Sequence, residues 1–275
     1  MKIDSKLYSK TFYVWTSVSA MFFYGGVTPF HSHNTLQLVF DLRKMFKCRI
    51  QNTGWELYKS VLIKEDAIHQ LDTNESVQLI LYLDAKSEIA NAIKLNYPSG
   101  NICSLDLDIL DYAKAGELER CLIEADTQLL EKLIHRLLNQ LGKSHKSPIR
   151  DERIKKIISM LAEDCSEKMT INQMAKNVFL SESRLRSLFK KVEGVSLHRY
   201  IIWNRIRVAL SKIMNGSTVL DAAMECGFTD GSHFHKLLVK MFGVSPSQFI
   251  KNNEHKSILL LTPHPLDLKS QIFNN

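Results

Sequence analysis

Hydrophobic and polar positions along this chain change period once, and the change divides it in two. Between residues 11 and 83 the stretches Thr11–Tyr24, Thr35–Asp41, Lys44–Gln51, Trp55–Ile63 and Val77–Leu83 are rich in β-branched and aromatic residues. Gly25-Gly26, Thr28-Pro29, Asn52-Thr53-Gly54 and Asp72-Thr73-Asn74 separate them with turn chemistry. Short strands with regular turns predict a small barrel or sandwich. From Glu117 to Leu141 the spacing becomes three and four, with Leu118, Leu122, Ala125, Leu129, Leu133, Leu137 and Leu141 on one helix face. Leu130, Ile134 and Leu138 widen that face beyond what packing on a small barrel requires, which predicts an arm that covers the barrel and also pairs two copies. A shorter helix is expected over Leu105–Lys114, and Gly142 is placed to end the longer one.

Beyond residue 142 every predicted element is a helix. GKSHKSPI at 142–149 is small, polar and basic, and reads as a linker. Helices follow over Asp151–Glu163, Thr170–Lys176, Ser181–Val192, Ser196–Asn215, Thr218–Cys226 and Asp230–Phe242, and another starts near Ser245-Pro246. Thr170, Ser181 and Ser196 stand at N-cap positions, and Gly194 and Gly216 stand where helices stop. The tail from Asn253 has no clear element.

This helical part contains one unit twice. SRLRSLFKKVEGVSLHRY at 183–200 and SHFHKLLVKMFGVSPSQF at 232–249 share Ser183/Ser232, Leu188/Leu237, Lys191/Lys240, Gly194/Gly243, Val195/Val244 and Ser196/Ser245. With one residue inserted the match extends upstream, through Ile171/Val219, Ala175/Ala223, Val178/Cys226 and Leu180/Phe228. A short helix, a turn and a second helix is the arrangement that sets the second helix into the major groove of DNA. In the first copy Leu185, Leu188, Phe189 and Val192 would be buried, and Ser183, Arg184, Arg186, Ser187 and Lys190 would face outward. In the second, Phe234, Leu237, Leu238 and Met241 would be buried, and Gly231, Ser232, His233, His235 and Lys236 would be presented. Arginine pairs with guanine in a bidentate way, and serine can donate or accept. Trp203, Ile206 and Leu210 give the helix between the copies a face for both, and Arg199, Arg205 and Arg207 are placed to meet phosphates.

Charge agrees with that division. The chain carries a net +7, yet residues 143–256 hold 20 Lys+Arg against 11 Asp+Glu, so the remainder is slightly acidic. Five scattered cysteines without a C-x-x-C pair argue against a disulfide framework or a zinc finger, and for a reducing compartment. No run approaches a membrane span, so no membrane partner is expected. TFYVWTSVSAMFF after Lys2, Lys6 and Lys10 reads as a strand better than as a secretory signal. No G-x-S-x-G, P-loop or dinucleotide fingerprint is present.

GFTDGSHFHKLLVKMFGVSPSQF at 227–249, with RIRVALSKI at 205–213, resembles the AraC/XylS transcriptional regulators over about residues 150–251. The resemblance implies two helix-turn-helix units joined by one helix. It assigns base contacts to Ser183, Arg186 and Ser187 and to Gly231, Ser232, His233 and Lys236. Phe179 departs from it, standing where a small residue is usual in the first turn, so its φ must be negative or strained. Gly231 and Ser232 are short, which suggests a second helix that grips backbone more than it discriminates bases.

In the N-terminal part, PFHSHNTLQLVF places His31, His33 and Gln37 on one face of a strand, and His69 follows VLIKEDAI. This resembles the small cupin barrel that many family members carry as a sensor. In metal cupins the matching positions are two histidines, a glutamate and a later histidine. Here Gln37 replaces the carboxylate, so His31, His33, Gln37 and His69 read foremost as polar residues of a pocket mouth or as hydrogen-bonded structural histidines, with contact to an organic effector and binding of a divalent metal as the alternatives, and no cofactor is expected.

The expected architecture is α+β and multidomain, with a cupin-like β-barrel at 1–104, a helical dimerisation arm at 105–141, the linker, an all-α tandem helix-turn-helix domain at 150–252 and a tail at 253–275. The expected function is a sequence-specific regulator, an activator by resemblance, acting on double-stranded promoter DNA. RNA polymerase, a small-molecule effector and a second copy are its expected partners, and the bacterial cytoplasm and nucleoid its expected place. A metal-dependent cupin enzyme fused to a DNA-binding domain is the alternative.

Overall fold

The computed structural model describes residues 12–14, 17–24, 26–42, 45–73, 75–105, 107, 117, 121, 126–142, 151–163, 169–242 and 245–246. Among these residues nine strands lie in the N-terminal part: β1 (Phe12–Val14), β2 (Val18–Tyr24), β3 (Thr35–Asp41), β4 (Phe46–Ile50), β5 (Glu56–Tyr58), β6 (Ser60–Ile63), β7 (His69–Asp72), β8 (Val77–Asp84) and β9 (Ile102–Ser104). They pair antiparallel into a six-stranded sheet, β1-β2-β8-β3-β6-β9, and a three-stranded sheet, β5-β4-β7. Isolated bridges at Val27–Asp72 and His31–His69 link the segment entering β3 to the smaller sheet. Among the described residues the strands therefore form two sheets rather than a closed barrel.

The sequence pattern merged strands that the chain separates. Thr11–Tyr24 is two strands, β1 and β2, turned back on each other with Phe12 opposite Met21. Trp55–Ile63 is also two, and they go to different sheets. Apolar runs of this length do not reveal the point at which a strand leaves one sheet for another. Asn52 adopts a positive φ of 68°, as the predicted turn at 52–54 requires.

β3 and β8 are buried at every position, because the larger sheet is covered on both faces. Phe22, Leu36, Leu38, Phe40, Leu79, Leu81 and Leu83 meet helices α1 (Glu88–Asn96) and α2 (Thr127–Gly142). Val39, Val61, Ile63, Ile80 and Tyr82 point the other way, towards Phe46, Cys48 and Leu71 of the smaller sheet. The sequence pattern did not predict α1. It also predicted one helix over 117–141, yet Glu117 and Cys121 are helical while α2 begins only at Thr127. Asp126 starts α2, its carboxylate accepting from Leu129 N at 3.0 Å. Leu105 and Leu107 are not helical, and the rest of the expected Leu105–Lys114 helix lies outside the described residues.

Both stripes of α2 are used within the chain. Leu130, Leu133, Ile134, Leu137, Leu138 and Leu141 are all buried in the core beneath the larger sheet. Among the described residues these positions are taken up by the sheet and by α1. The expected linker beyond Gly142 and the tail from Asn253 lie outside the described residues.

The helical part follows the predicted order: α3 (Glu152–Glu163), α4 (Ile171–Asn177), α5 (Glu182–Glu193), α6 (Leu197–Met214), α7 (Val219–Glu225) and α8 (Gly231–Phe242). Thr170, Ser181, Ser196 and Thr218 cap α4, α5, α6 and α7 through their hydroxyls, and Thr170 with Gln173 completes a capping box. Gly194 ends α5 in the left-handed conformation at φ 68°. The first unit has its own core, in which Ile154, Ile157, Met174, Leu185, Phe189 and Tyr200 meet. The second shares a core with the N-terminal sheets: Trp203, Ile206, Phe234, Leu238 and Phe242 join Val39, Ile63 and Tyr82.

Polar contacts pin that shared core. Asp84, fully buried at the end of β8, accepts from Arg199 Nε and, at 3.0 Å, from Trp203 Nε1, both on α6. Asn34 N donates to Lys240 O at 2.7 Å and Thr35 Oγ1 to Met241 O at 2.8 Å. The last carbonyls of a helix have no partner of their own, so Asn34 and Thr35 act as a C-terminal cap for α8, supplied by the other domain. At a third point Glu88 N donates to Gly194 O at 2.9 Å.

Removing one side of a buried charged pair leaves the other uncompensated. Asp84→Ala is expected to cost about 3 kcal/mol in urea unfolding, by that reasoning. Lys86→Ala, two residues away, serves as a near-neutral control.

Candidate DNA interface and histidine cluster

The two helix-turn-helix units present the residues assigned to them. Ser183, Arg184, Arg186, Ser187 and Lys190 on α5 are exposed. On α8, Ser232, His233, His235 and Lys236 are exposed and Gly231 is half-buried, lying over Leu220 of α7. The apolar positions Leu185, Phe189 and Val192, and Phe234, Leu238 and Met241, are buried beneath them. Docking of the sheets leaves both outward faces open to solvent.

Two of these side chains already have local partners. Arg186 lies 3.7 Å from Glu182 one turn earlier, an exposed pairing of little strength. His233 packs against the ring of Phe228, with Nδ1 3.2 Å from Thr229 Oγ1, while its backbone N–H donates to Asp230 Oδ1 at 2.7 Å. Asp230 therefore starts α8, and the backbone N–H groups of His233 and Ser232 hold its carboxyl below the usual range.

The three arginines expected at phosphates are engaged elsewhere. Arg199 is bound to Asp84, Arg205 Nη1 donates to Gly227 O at 3.0 Å, and Arg207 is buried with Nη2 2.6 Å from Asn204 Oδ1. Asn204 in turn donates to Leu161 O at 2.7 Å, tying α6 to α3. Partners within the fold, which a single helical pattern does not show, turn these cations into struts.

Phe179, in the turn between α4 and α5, takes a φ of 56° with its side chain almost wholly exposed. Of the two outcomes the sequence allowed, strain is the one found. The matching position of the second copy is Gly227, at φ 72°. A bulky residue in this region costs energy that glycine does not.

In the N-terminal part, His31, His33 and His69 bring one ring nitrogen each to within 4.8 Å of one another. His31 and His33 precede β3 rather than lying on it. His31 pairs with His69 through two backbone hydrogen bonds, at 3.1 and 2.9 Å, which brings their rings to 4.3 Å apart at a tilt of 53°. The ring of His33 stands 5.1 Å from that of His69 and 5.3 Å from that of Tyr82.

Backbone carbonyls fix the tautomers. His31 Nδ1 lies 2.9 Å from Pro29 O, His69 Nδ1 2.9 Å from Ala67 O and His33 Nδ1 3.1 Å from Thr35 O. A carbonyl only accepts, so each Nδ1 carries the proton and each Nε2 keeps its lone pair. Burial lowers all three pKa values, to about 4 for His33 and about 3 for His69, so the rings are neutral. His69 is fully buried, and its Nε2 has no hydrogen-bond partner. Gln37 Oε1 lies 2.7 Å from His33 Nε2, and Gln37 Nε2 has none. With a neutral ring that contact is satisfied when the amide is turned so that its NH₂ donates.

Residues 174–252 match the model of a helix-turn-helix domain. The chain is 26% identical over 126 residues to the melibiose operon regulatory protein of Escherichia coli K12, across 44% of this chain and 41% of that protein. It is 29% identical over 133 residues to the arabinose operon regulatory protein of the same organism, across 46% and 44%. ToxT from Vibrio cholerae O395 aligns with 86% of this chain and 98% of that one, at 14% identity and a TM-score of 0.46. Tandem units, family model and relatives agree on a helix-turn-helix domain in the C-terminal part, similar to those of AraC-type regulators. The chain's match spans less than half the length of these two regulatory proteins.

Two measurements test the local physics. Phe179→Gly is expected to be neutral or stabilising within about 1 kcal/mol, and Phe179→Val destabilising by about 1 kcal/mol, in urea unfolding. Glu193, beside the Gly194–Glu88 contact, is pushed up to about 7 by burial. A carboxyl whose folded pKa is raised loses its contribution as pH rises from the unfolded value towards the folded one. Stability should therefore fall between about pH 4.5 and 7, and Glu193→Gln should remove on the order of 1–2 kcal/mol of that fall in a Tm series.

Proposed function

We propose that this protein is a transcriptional regulator that reads two successive major-groove segments of promoter DNA with α5 and α8. The observation that carries the reading is the exposure of both recognition faces while the bar between them is buried. α6 has 18 residues, or about 27 Å at 1.5 Å per residue, which suits two helices set near one turn of DNA, roughly 34 Å.

Ser183, Arg184, Arg186, Ser187 and Lys190 are the first reading set. Gly231, Ser232, His233, His235 and Lys236 are the second. With Arg199, Arg205 and Arg207 occupied, phosphate contacts fall to exposed cations such as Lys190, Lys191 and Lys240 and to the helix N-termini. Because His233 is already held by Phe228 and Thr229, α8 contributes more to grip than to base discrimination. The N-terminal sheets act as a signal-receiving domain seated on the second unit, and effector binding would shift the population of that seat.

On this reading the protein is a regulator rather than an enzyme, which the regulatory names of its relatives support. A bacterial cytoplasmic setting and contact with RNA polymerase follow from the role. Activation is the favoured sign of regulation. Pairing of two copies, where it occurs, would use a face other than the apolar stripe of α2.

The test is selection of bound duplexes from a random library by the full chain, then affinity measurement across salt. Specific binding with a steep negative dependence on salt is expected. Arg186→Ala should lose about 10–100-fold on the selected duplex and relax its sequence preference, and Ser232→Ala only a few-fold. Equal losses would remove the division of labour between α5 and α8, and no binding at low salt would remove the reading itself.

A further inference from the structure

The outer face of the smaller sheet carries a pattern that reads alike from either edge. Phe46, Cys48 and Leu71 turn into the core. Alternation therefore places Lys47 and Arg49 of β4, with Gln70 and Asp72 of β7, on the opposite face. Register sets Lys47 across from Asp72, and Arg49 across from Gln70. On the far side of β4, Leu57 of β5 lies across from Lys47. Trp55, two residues earlier, lies beside Arg49, with the guanidinium carbon 4.4 Å from its ring centroid. On the far side of β7, Val27 bridges Asp72, and the ring centroid of Phe30 stands 5.0 Å from the same guanidinium carbon. Two rows thus cross the face. One runs Leu57, Lys47, Asp72, Val27, and the other Trp55, Arg49, Gln70, Phe30. Each has apolar ends, with a cation and an acceptor between them.

These apolar ends are open to solvent. Leu57 and Val27 are each 56% exposed, Phe30 42% and Trp55 37%. With Met45 and Ile68 beside the same sheet, they make up six of the ten large exposed apolar side chains among the described residues. Scattered apolar residues on a surface need no explanation, but a gathered patch marks a place of contact. Trp, Phe and Arg are the side chains that anchor protein interfaces. Arg49 is also fixed in advance: its Nε donates to Gln70 Oε1 at 2.8 Å, and Gln70 Nε2 donates to Thr28 O at 2.7 Å. A side chain already held loses little freedom when a partner arrives.

We propose that this face packs against the same face of a second copy of the chain, about a two-fold axis that runs along the strands between β4 and β7. The symmetry of the rows selects that occupant. Rotation about such an axis exchanges the ends of each row, as a self-complementary interface requires. Leu57 then meets the partner's Val27, and Lys47 meets the partner's Asp72. Arg49 meets the partner's Gln70, and Trp55 meets the partner's Phe30. Within one chain Lys47 and Asp72 stand 3.9 Å apart and partly exposed, a loose pair. Two such pairs face to face alternate in sign. A polyanion or an acidic segment would instead meet the carboxylate of Asp72 among the cations. No residue of α5 or α8 lies on this face, so pairing uses none of the recognition residues.

The test is sedimentation velocity of the full chain over a concentration series. Three strands and one flanking segment make a narrow face, so a reversible dimer with a dissociation constant of micromolar order is expected. Trp55→Ala should weaken it about tenfold or more. Leu95→Ala, at an exposed apolar position on α1, should leave it unchanged. Charge reversal then asks whether the face packs on itself. The Lys47→Asp variant sets two carboxylates in one row, and the Asp72→Lys variant two ammonium groups, so each should pair with itself several-fold more weakly than the wild type. Mixed in equal amounts, the two should form a heterodimer close to wild-type strength, because each row again meets its opposite. Circular dichroism checks that every variant is folded. A chain that stays monomeric throughout the micromolar range overturns the proposal. A dimer that Trp55→Ala leaves intact, or folded charge variants that fail to pair on mixing, overturns it as well. Should Trp55→Ala not fold, the mixing experiment decides, and should a charge variant not fold, Trp55→Ala decides. Neither readout involves DNA, so failure here is distinct from failure of the chain to bind DNA.

Discussion

The arrangement of this protein depends on one buried carboxylate. Asp84 ends β8, a strand buried at every position, where a lone negative charge would be strongly unfavourable, and α6 supplies a guanidinium and an indole N–H to satisfy it. That clasp fixes the bar between the helix-turn-helix units against the larger sheet. With α6 held, Phe242 falls against both Tyr82 and Trp203, and the end of α8 comes within reach of Asn34 and Thr35. The sheets therefore hold the second helix-turn-helix unit directly, while the first keeps a core of its own and meets α1 where Glu88 bonds Gly194.

This asymmetry gives a regulator a physical handle. A signal at the sheets need not cover a DNA-facing residue, since both faces are open in the docked arrangement. It can act on the relative placement of α5 and α8, and two recognition helices on one duplex are sensitive to placement because each must find its groove. The cap supplied by Asn34 and Thr35 couples through backbone groups of α8, so the contact works whatever side chains that helix turns towards DNA.

Much of the helical part was legible in the sequence because local chemistry specifies it. Thr170, Ser181 and Ser196 cap helices wherever they stand, Gly194 stops one, and the repeat fixed which faces are buried. Less could be read where long-range partners decide. The partner of Asp84 lies 115 residues away along the chain, and nothing near Arg199 in sequence distinguishes a strut from a phosphate contact. Arg205 was misjudged for the same reason, its partner Gly227 lying 22 residues further on; Arg207 meets Asn204 on its own helix, and only the burial of that pair shows it to be a strut. In the sheets, β-type composition gave the presence of strands but not the turn between β1 and β2 or the change of sheet between β5 and β6. The histidine positions could be picked out, but the tautomers that decide what the rings can bind depend on three carbonyls that only the fold brings to them.

The central claim is that one chain reads two turns of DNA with two helices held on a common bar. Hydroxyl-radical and methylation footprinting of a duplex selected by the full chain tests it most directly. The account predicts two protected major-groove patches on one face of the duplex, about 10 base pairs apart, with guanine interference concentrated in the patch that Arg186→Ala weakens. A single patch, or two on opposite faces, would contradict it.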